Sequence, residues 1–190
     1  LLKSETTSNY ITYHHNWYDH SDSRHPRIRT CTVHIYNNYF DGNAKYGVGM
    51  NLGGSAFVEN NYFRNCKYPM LISMQGSDNA TGGTFSGENG GVIKSYNNKV
   101  TGDKTKGYVT YQQNSTEFDA YEAGSATEKV PSYVKAKQGG STYNNFETSS
   151  VMYNYSAQSP EAAVETVKAN AGRVQGGDFK WTFNNSVDDE

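Results

Sequence analysis

The chain has 190 residues, enough for one domain with a real core. Its formal net charge of −2 argues against non-specific nucleic-acid binding and confines any anion recognition to a local cluster. The 16 Tyr and 8 Phe supply much of a hydrophobic fraction of 35%, so the apolar surface comes as aromatics and short aliphatic runs, which favours β structure; no stretch is long and apolar enough to cross a membrane as a helix.

Leu1-Leu2, followed by polar residues 3–8, reads as the stub of a strand, and no leader-like charged and apolar segments are visible there. Residues 9–13 form a β-prone run, Asn16 a turn and Trp17-Tyr18 a short strand. After a polar loop, Pro26 blocks any helix across residues 24–26. Strands are expected at residues 28–30 and 32–36, the latter with Val33 and Ile35 on one face and His34 and Tyr36 on the other. Asn37-Asn38 is the next turn, Tyr39-Phe40 a strand, and 46–51 and 55–59 two more. Asn60-Asn61 then returns to the turn, 23 residues after Asn37.

That period is too short for two ordinary helices and their connectors, but three short strands and three turns fill it. Such coils stack about 4.8 Å apart, the spacing of a parallel sheet. Asn suits the repeated turn because it tolerates the left-handed region, and stacked amides bond from coil to coil; Asn38 and Asn61 are therefore assigned to an asparagine ladder. The fold expected is all-β, a parallel β-helix.

A strand at residues 69–74 and a Gly-rich insertion at 76–91 account for the 37-residue step from Asn60 to Asn97. The insertion is either a groove wall or a mobile loop. Residues 92–96 resume the repeat. Strands are further expected at 108–112 and 131–135, and Asn144-Asn145 repeats the turn signal. Ser159-Pro160-Glu161 opens a helix with Ser as N-cap and Pro in the first turn. Ala162, Ala163, Val164, Val167 and Ala171 give it an apolar stripe ended by Gly172, and it is expected to lie over the end of the stack. Cys31 and Cys66 match no zinc spacing and read as unpaired core residues.

The chemistry concentrates in Arg24-His25-Pro26-Arg27-Ile28-Arg29. Guanidinium groups match carboxylates in forked geometry; in an extended segment Arg27 and Arg29 share a face, and Arg24 approaches from the loop. Several fixed arginines would hold a ligand bearing repeated carboxylates in register. His15 and His34 read as hydrogen-bonded structural residues. Asp19, Asp22 and Asp41 read as solvated loop acids, and no residue of the chain is assigned to a metal. Trp17, Tyr18 and Tyr39 occupy repeat positions that argue for core stacking.

Taken together, His14-His15-Asn16 with its aromatic pair, R-x-P-x-x-R at residues 24–29, the run 33–40, Tyr46-Gly47-Val48-Gly49 and residues 59–63 resemble the pectate lyases. The likeness extends to about Asn98, is thin from there to Glu147, and returns at 164–172. The resemblance implies a right-handed parallel β-helix with a short C-terminal helix, and residues 1–190 as the C-terminal portion of one such domain. It implies a secreted, extracellular lyase that cleaves polygalacturonate by calcium-assisted β-elimination. Arg24 is then the base for the C5 proton, Arg29 binds the substrate carboxylate, and Pro26 is the motif proline. Arg27 and His25 are added as substrate contacts, His25 being the first substitute for Arg24 as base. An arginine base also implies an alkaline optimum, since a guanidinium is ordinarily protonated. The family's acidic calcium ligands and a substrate lysine lie upstream of the region that Leu1-Leu2 resembles, so the Ca2+ ligands are expected outside this chain, in the missing N-terminal part of the same β-helix. Two other readings stay open: a non-catalytic β-helix module binding acidic polysaccharide, and a pectin lyase acting on methyl-esterified pectin.

Overall fold

The computed structural model describes residues 3–172; Leu1-Leu2 lies outside them. Three parallel sheets wind into a solenoid. Its first coil consists of β1 (Tyr10–His14), β2 (Trp17–Asp19) and β3 (Arg27–Arg29), and the second of β4 (Thr32–Tyr36), β5 (Tyr39–Asp41) and β6 (Tyr46–Asn51). The third holds β7 (Ser55–Glu59), β8 (Tyr62–Arg64) and β9 (Tyr68–Ile72). After a five-residue helix, α1 (Gly76–Ala80), β10 (Val92–Tyr96) and β11 (Lys99–Thr101) begin the fourth, and β12 (Tyr121–Glu122) adds a last short strand. The sheets run β1-β4-β7-β10-β12, β11-β8-β5-β2 and β3-β6-β9. Register is kept from coil to coil: Val33 pairs with Ala56, Phe40 with Phe63 and Val48 with Met70.

Alternation along each strand decides what enters the core. Val33, Ile35, Ala56, Val58 and Ile93 point inward from the first sheet and meet Phe40, Phe63, Val48, Met50, Met70 and Ile72 from the other two. Phe40 and Phe63 stack at 4.3 Å between ring centroids, and Tyr18 joins them from the coil before. Cys31 and Cys66 are buried in this core as free thiols. Tyr39 and Trp17 take the other parity and face outward, so the expected core stacking holds for Tyr18 and not for them.

The asparagine ladder fixes the turn between the first two sheets. His15, Asn37, Asn60 and Asn97 each take the left-handed conformation, with φ of 53, 52, 51 and 49°, which Asn tolerates better than most residues. The Asn38 Oδ1 accepts from the Asn16 backbone N–H (3.0 Å) and side-chain amide (2.9 Å). Asn61 Oδ1 does the same for Asn38, and Asn98 Oδ1 for Asn61. Asn144-Asn145 does not extend the ladder: Asn144 donates to the Thr32 hydroxyl and Asn145 to the Val130 carbonyl. Its turn leads into a short 3-10 helix, Phe146–Thr148.

The outer face of the first sheet is buried too, as parallel sheets require, under a strap of residues 143–158. His34 Nε2 lies 2.9 Å from Glu59 Oε1 and its Nδ1 lies 2.7 Å from the Tyr153 hydroxyl. Tyr155 also donates to Glu59, and Lys94 Nζ pairs with Glu147 at 2.8 Å. Each of these buried polar groups is held by a partner, which is what makes its burial tolerable.

Three further expectations change. Residues 108–112 and 131–135 form isolated bridges, Thr110 to Ala120 and Lys135 to Thr142, rather than strands. The C-terminal helix, α2 (Pro160–Asn170), begins as its sequence prescribes, with the Ser159 Oγ accepting from the Ala162 N–H. However, it lies across the outer face of the second sheet, where Val164 and Val167 cover Tyr39, with Trp17, Tyr62 and Ala171 around them. It does not cover the end of the stack, and Ala162 is exposed, because the outward-facing aromatics supply a larger apolar partner.

Candidate active site

The turn that feeds β3 sets the site. Arg24 has φ of 72°, a conformation an L-residue with a long side chain rarely adopts and one that the surroundings must impose. Immediately after it, the His25 N–H donates to the Gly47 carbonyl (2.8 Å) and the Gly49 N–H donates to the Pro26 carbonyl (3.0 Å). The motif is therefore stitched to β6 of the next coil, and Arg24 is left exposed above it.

Arg24 lines a cavity of about 350 Å3 with Ser23, Lys45, Tyr46, Lys67, Tyr68 and the 81–84 stretch of the insertion, at the small end of ligand-sized clefts. Tyr46 pairs with Tyr68 in register, so Lys45-Tyr46 and Lys67-Tyr68 present the same two side-chain types on successive coils. With Arg24 they make a cationic cavity whose lining, among the described residues, contains no carboxylate. Lys45 also pairs with Asp22 at 3.1 Å, but both side chains are more than half exposed, and such a pair is worth little. Burial pushes the Tyr46 phenol up, against the pull of the Arg27, Arg24 and Arg29 charges; Arg24 also hydrogen-bonds to it.

Arg27 and Arg29 do share a face, as expected, but the carboxylate they meet belongs to the chain. Glu88 Oε2 accepts from Arg27 Nη2 (2.9 Å) and Arg29 Nε (3.2 Å), Asn51 donates to the same oxygen, and Lys3 Nζ lies 2.5 Å from the other. Arg27 is 8% exposed and Arg29 22%. His25 turns to the Ser21 hydroxyl (2.9 Å) and the Tyr18 ring (4.9 Å), and burial lowers its pKa. Of the candidate site residues read from the sequence, Arg24 alone lines the cavity; Arg27 and Arg29 bind Glu88, His25 meets Ser21 and Tyr18, Pro26 is buried in the turn, and Asn38 and Asn61 hold the coils in register. Lys45 and Lys67 were legible as a Lys-Tyr pair recurring after 22 residues; Glu88 had no local signal.

A calcium site would need six to eight oxygen ligands. Among the described residues, the one group of close metal-binding side chains is Asp19, His20 and Asp41. It includes an imidazole, and Asp41 already carries Arg64 at 2.5 Å, a cation where calcium would sit. The described residues do not fit this ion.

The family model described as pectate lyase matches residues 3–176. Over 169 residues, 89% of the chain, it is 28% identical to pectate lyase C of Dickeya chrysanthemi, covering 38% of that protein. It is 40% identical over 74 residues to a pectate trisaccharide-lyase of Bacillus licheniformis, 37% of this chain and 22% of that one. Among solved structures, a Bacillus pectate lyase in complex with trigalacturonate superposes with a TM-score of 0.52 at 25% identity, over 85% of this chain and 40% of the other. The chain thus spans well under half the length of these relatives. The span of the family model nonetheless includes the ladder, the arginine turn and α2, and on it the chain belongs to the pectate lyase family.

Proposed function

We propose that the protein is a pectate lyase that cleaves polygalacturonate, and that residues 1–190 form the C-terminal part of its β-helix domain. The observation that carries this reading is Arg24, held on a left-handed backbone at the mouth of a cavity lined by Lys45 and Lys67 and free of carboxylates. Lys45 and Lys67, about one coil apart, suit a polymer with a free carboxylate on each sugar; a methyl-esterified pectin would leave them without an anionic partner, so the pectin lyase reading is not favoured.

In the reaction the neutral Arg24 guanidine takes the proton from C5 of the sugar next to the scissile bond. The C–H electron pair becomes the C4–C5 double bond, and the C4–O bond breaks with its electrons on the departing oxygen, which is reprotonated from solvent. Neighbouring cations hold the substrate carboxylate and stabilise the charge that spreads onto it during proton removal. Calcium enters this reading with ligands outside the described residues, and no step here passes through it. A substrate that is an external polymer makes the protein a secreted one.

The test is release of unsaturated product from polygalacturonate by the full-length protein, followed by ultraviolet absorbance with calcium supplied. Binding of trigalacturonate without any such product would replace the lyase with a polysaccharide-binding module.

A further inference from the structure

The insertion at 76–91 supplies one wall of the Arg24 cavity, and the glycines of its tip pack against nothing. Gly82, Gly83 and Gly87 all have positive φ, and a Cβ at any of them would meet nothing within 4 Å. The segment is secured at its two ends instead. At the start, buried Asp78 accepts from the Met74 N–H (2.9 Å) and from the Thr84 N–H, and the Gly83 N–H donates to the Asp78 carbonyl (2.9 Å).

The other end is fastened to the arginine motif itself. The Phe85 ring stacks on Tyr46 at 5.4 Å and lies 5.1 Å from the Arg27 guanidinium carbon. Three residues on, the Glu88 carboxylate, 7% exposed, receives Arg27, Arg29, Asn51 and Lys3. The backbone there is tied as well: the Ser73 hydroxyl donates to the Glu88 carbonyl (2.5 Å) and the Leu52 N–H to the Asn89 carbonyl (2.6 Å). Burial pushes the Glu88 carboxyl up, but the hydrogen bonds and charges of Lys3 and Arg29 outweigh it and hold it below the ordinary range. A carboxylate so enclosed by donors ties the far end of the insertion to the arginine motif.

We propose that Glu88 is a positioning residue, whose buried carboxylate clamps the insertion to Arg27, Arg29 and Asn51 and so fixes residues 81–87 as the wall that orients a uronide against Arg24. This rests on the lyase reading above for the identity of the ligand, while the clamp itself does not.

The experiment compares wild type, E88Q, R27M and R27M/E88Q in the full-length protein, each first shown by thermal melting to be folded. E88Q keeps the shape and removes the charge. Chymotryptic cleavage after Phe85 is expected to accelerate at least about 10-fold, and KM for polygalacturonate to rise about 10-fold with kcat within about threefold of wild type. A merely structural role would lower the active fraction, and hence apparent kcat, at unchanged KM. If E88Q alone fails to fold, the R27M pair, with no buried arginine left to neutralise at that position, carries the test: Arg29 and Asn51 still lose their acceptor there, so E88Q should again accelerate cleavage after Phe85 and raise KM relative to R27M. Unchanged cleavage, or faster cleavage with KM unchanged, overturns the proposal. A wild type that neither binds trigalacturonate nor releases product refutes the lyase reading before any substitution is compared, and overturns the uronide-orienting role whatever the proteolysis shows.

Discussion

Truncating the ladder at its centre, Asn61→Ala, should destabilise the protein far more than the same change at its edge, Asn16→Ala. Asn61 is fully buried. Its Oδ1 accepts from the Asn38 N–H and amide, and its own amide donates to the Ile35 and Glu59 carbonyls and to Asn98 Oδ1. In the alanine variant the Asn38 amide keeps the Tyr13 and Tyr36 carbonyls and Asn98 Oδ1 keeps the Asn61 N–H, but the Asn38 N–H is orphaned in a site that excludes water. One buried unsatisfied donor costs about 1–3 kcal/mol, and the four other lost bonds, taken at about 0.5 kcal/mol each, the low end for a lost bond, bring the total to roughly 3–5 kcal/mol. For a chain of this size that lowers Tm by on the order of 10 °C. Among the described residues Asn16→Ala removes only amide bonds to His14 and Asn38 and orphans no buried donor, so in this chain it should cost under about 1 kcal/mol. Denaturant titration of both variants measures the difference. Equal losses, or a loss below about 1 kcal/mol for Asn61→Ala, would mean that the ladder reports the turn conformation without stabilising it.

Arg24→Lys keeps a cation at the cavity mouth but loses the forked geometry, so kcat on polygalacturonate should fall at least about 100-fold while KM stays within about threefold; near-normal turnover would remove Arg24 from the base role. Gly49→Ala would place a Cβ 2.5 Å from Tyr46 Cε2 and 2.9 Å from Phe85 Cζ, forcing both rings to shift at a cost of roughly 1–3 kcal/mol; an unchanged denaturation midpoint would show that the rings yield freely. Asp119, fully buried, accepts from the Ser77 N–H and hydroxyl and the Val109 N–H, and burial outweighs these bonds to push its carboxyl up to about 6. Unfolded, it ionises near its ordinary value, so between about pH 4 and 6 the folded state holds the extra proton and stability falls as pH rises, by about 3 kcal/mol over the window, with no further loss above it. The stability difference between wild type and Asp119→Asn, measured by denaturation across that range, should shift by about this amount; a constant difference would contradict the assignment.

Much of the solenoid was legible because its determinants are local and repeat. β4, β6, β7 and β10 were expected at their observed bounds, β4 from its period-two alternation and the others as short runs between turn residues, and the Asn-Asn pairs marked the turns because the left-handed position selects Asn through its own backbone preference. The arginine motif was legible for the same reason, as a short spacing around a proline. What escaped the sequence was everything set by contacts between distant segments. The same Asn-Asn pair at 144–145 lies off the ladder because no coil stacks on it in register. Helix α2 was readable as a helix from its cap and stripe, but its docking on Tyr39 and Trp17 depends on which parity of β2 and β5 faces out. Arg27 and Arg29 advertised carboxylate binding correctly, and only the folded chain brings in Glu88, 61 residues beyond Arg27. A residue's own chemistry is written at its position, whereas the identity of its partner is a property of where the chain returns, and in a solenoid with an insertion that return is decided by packing.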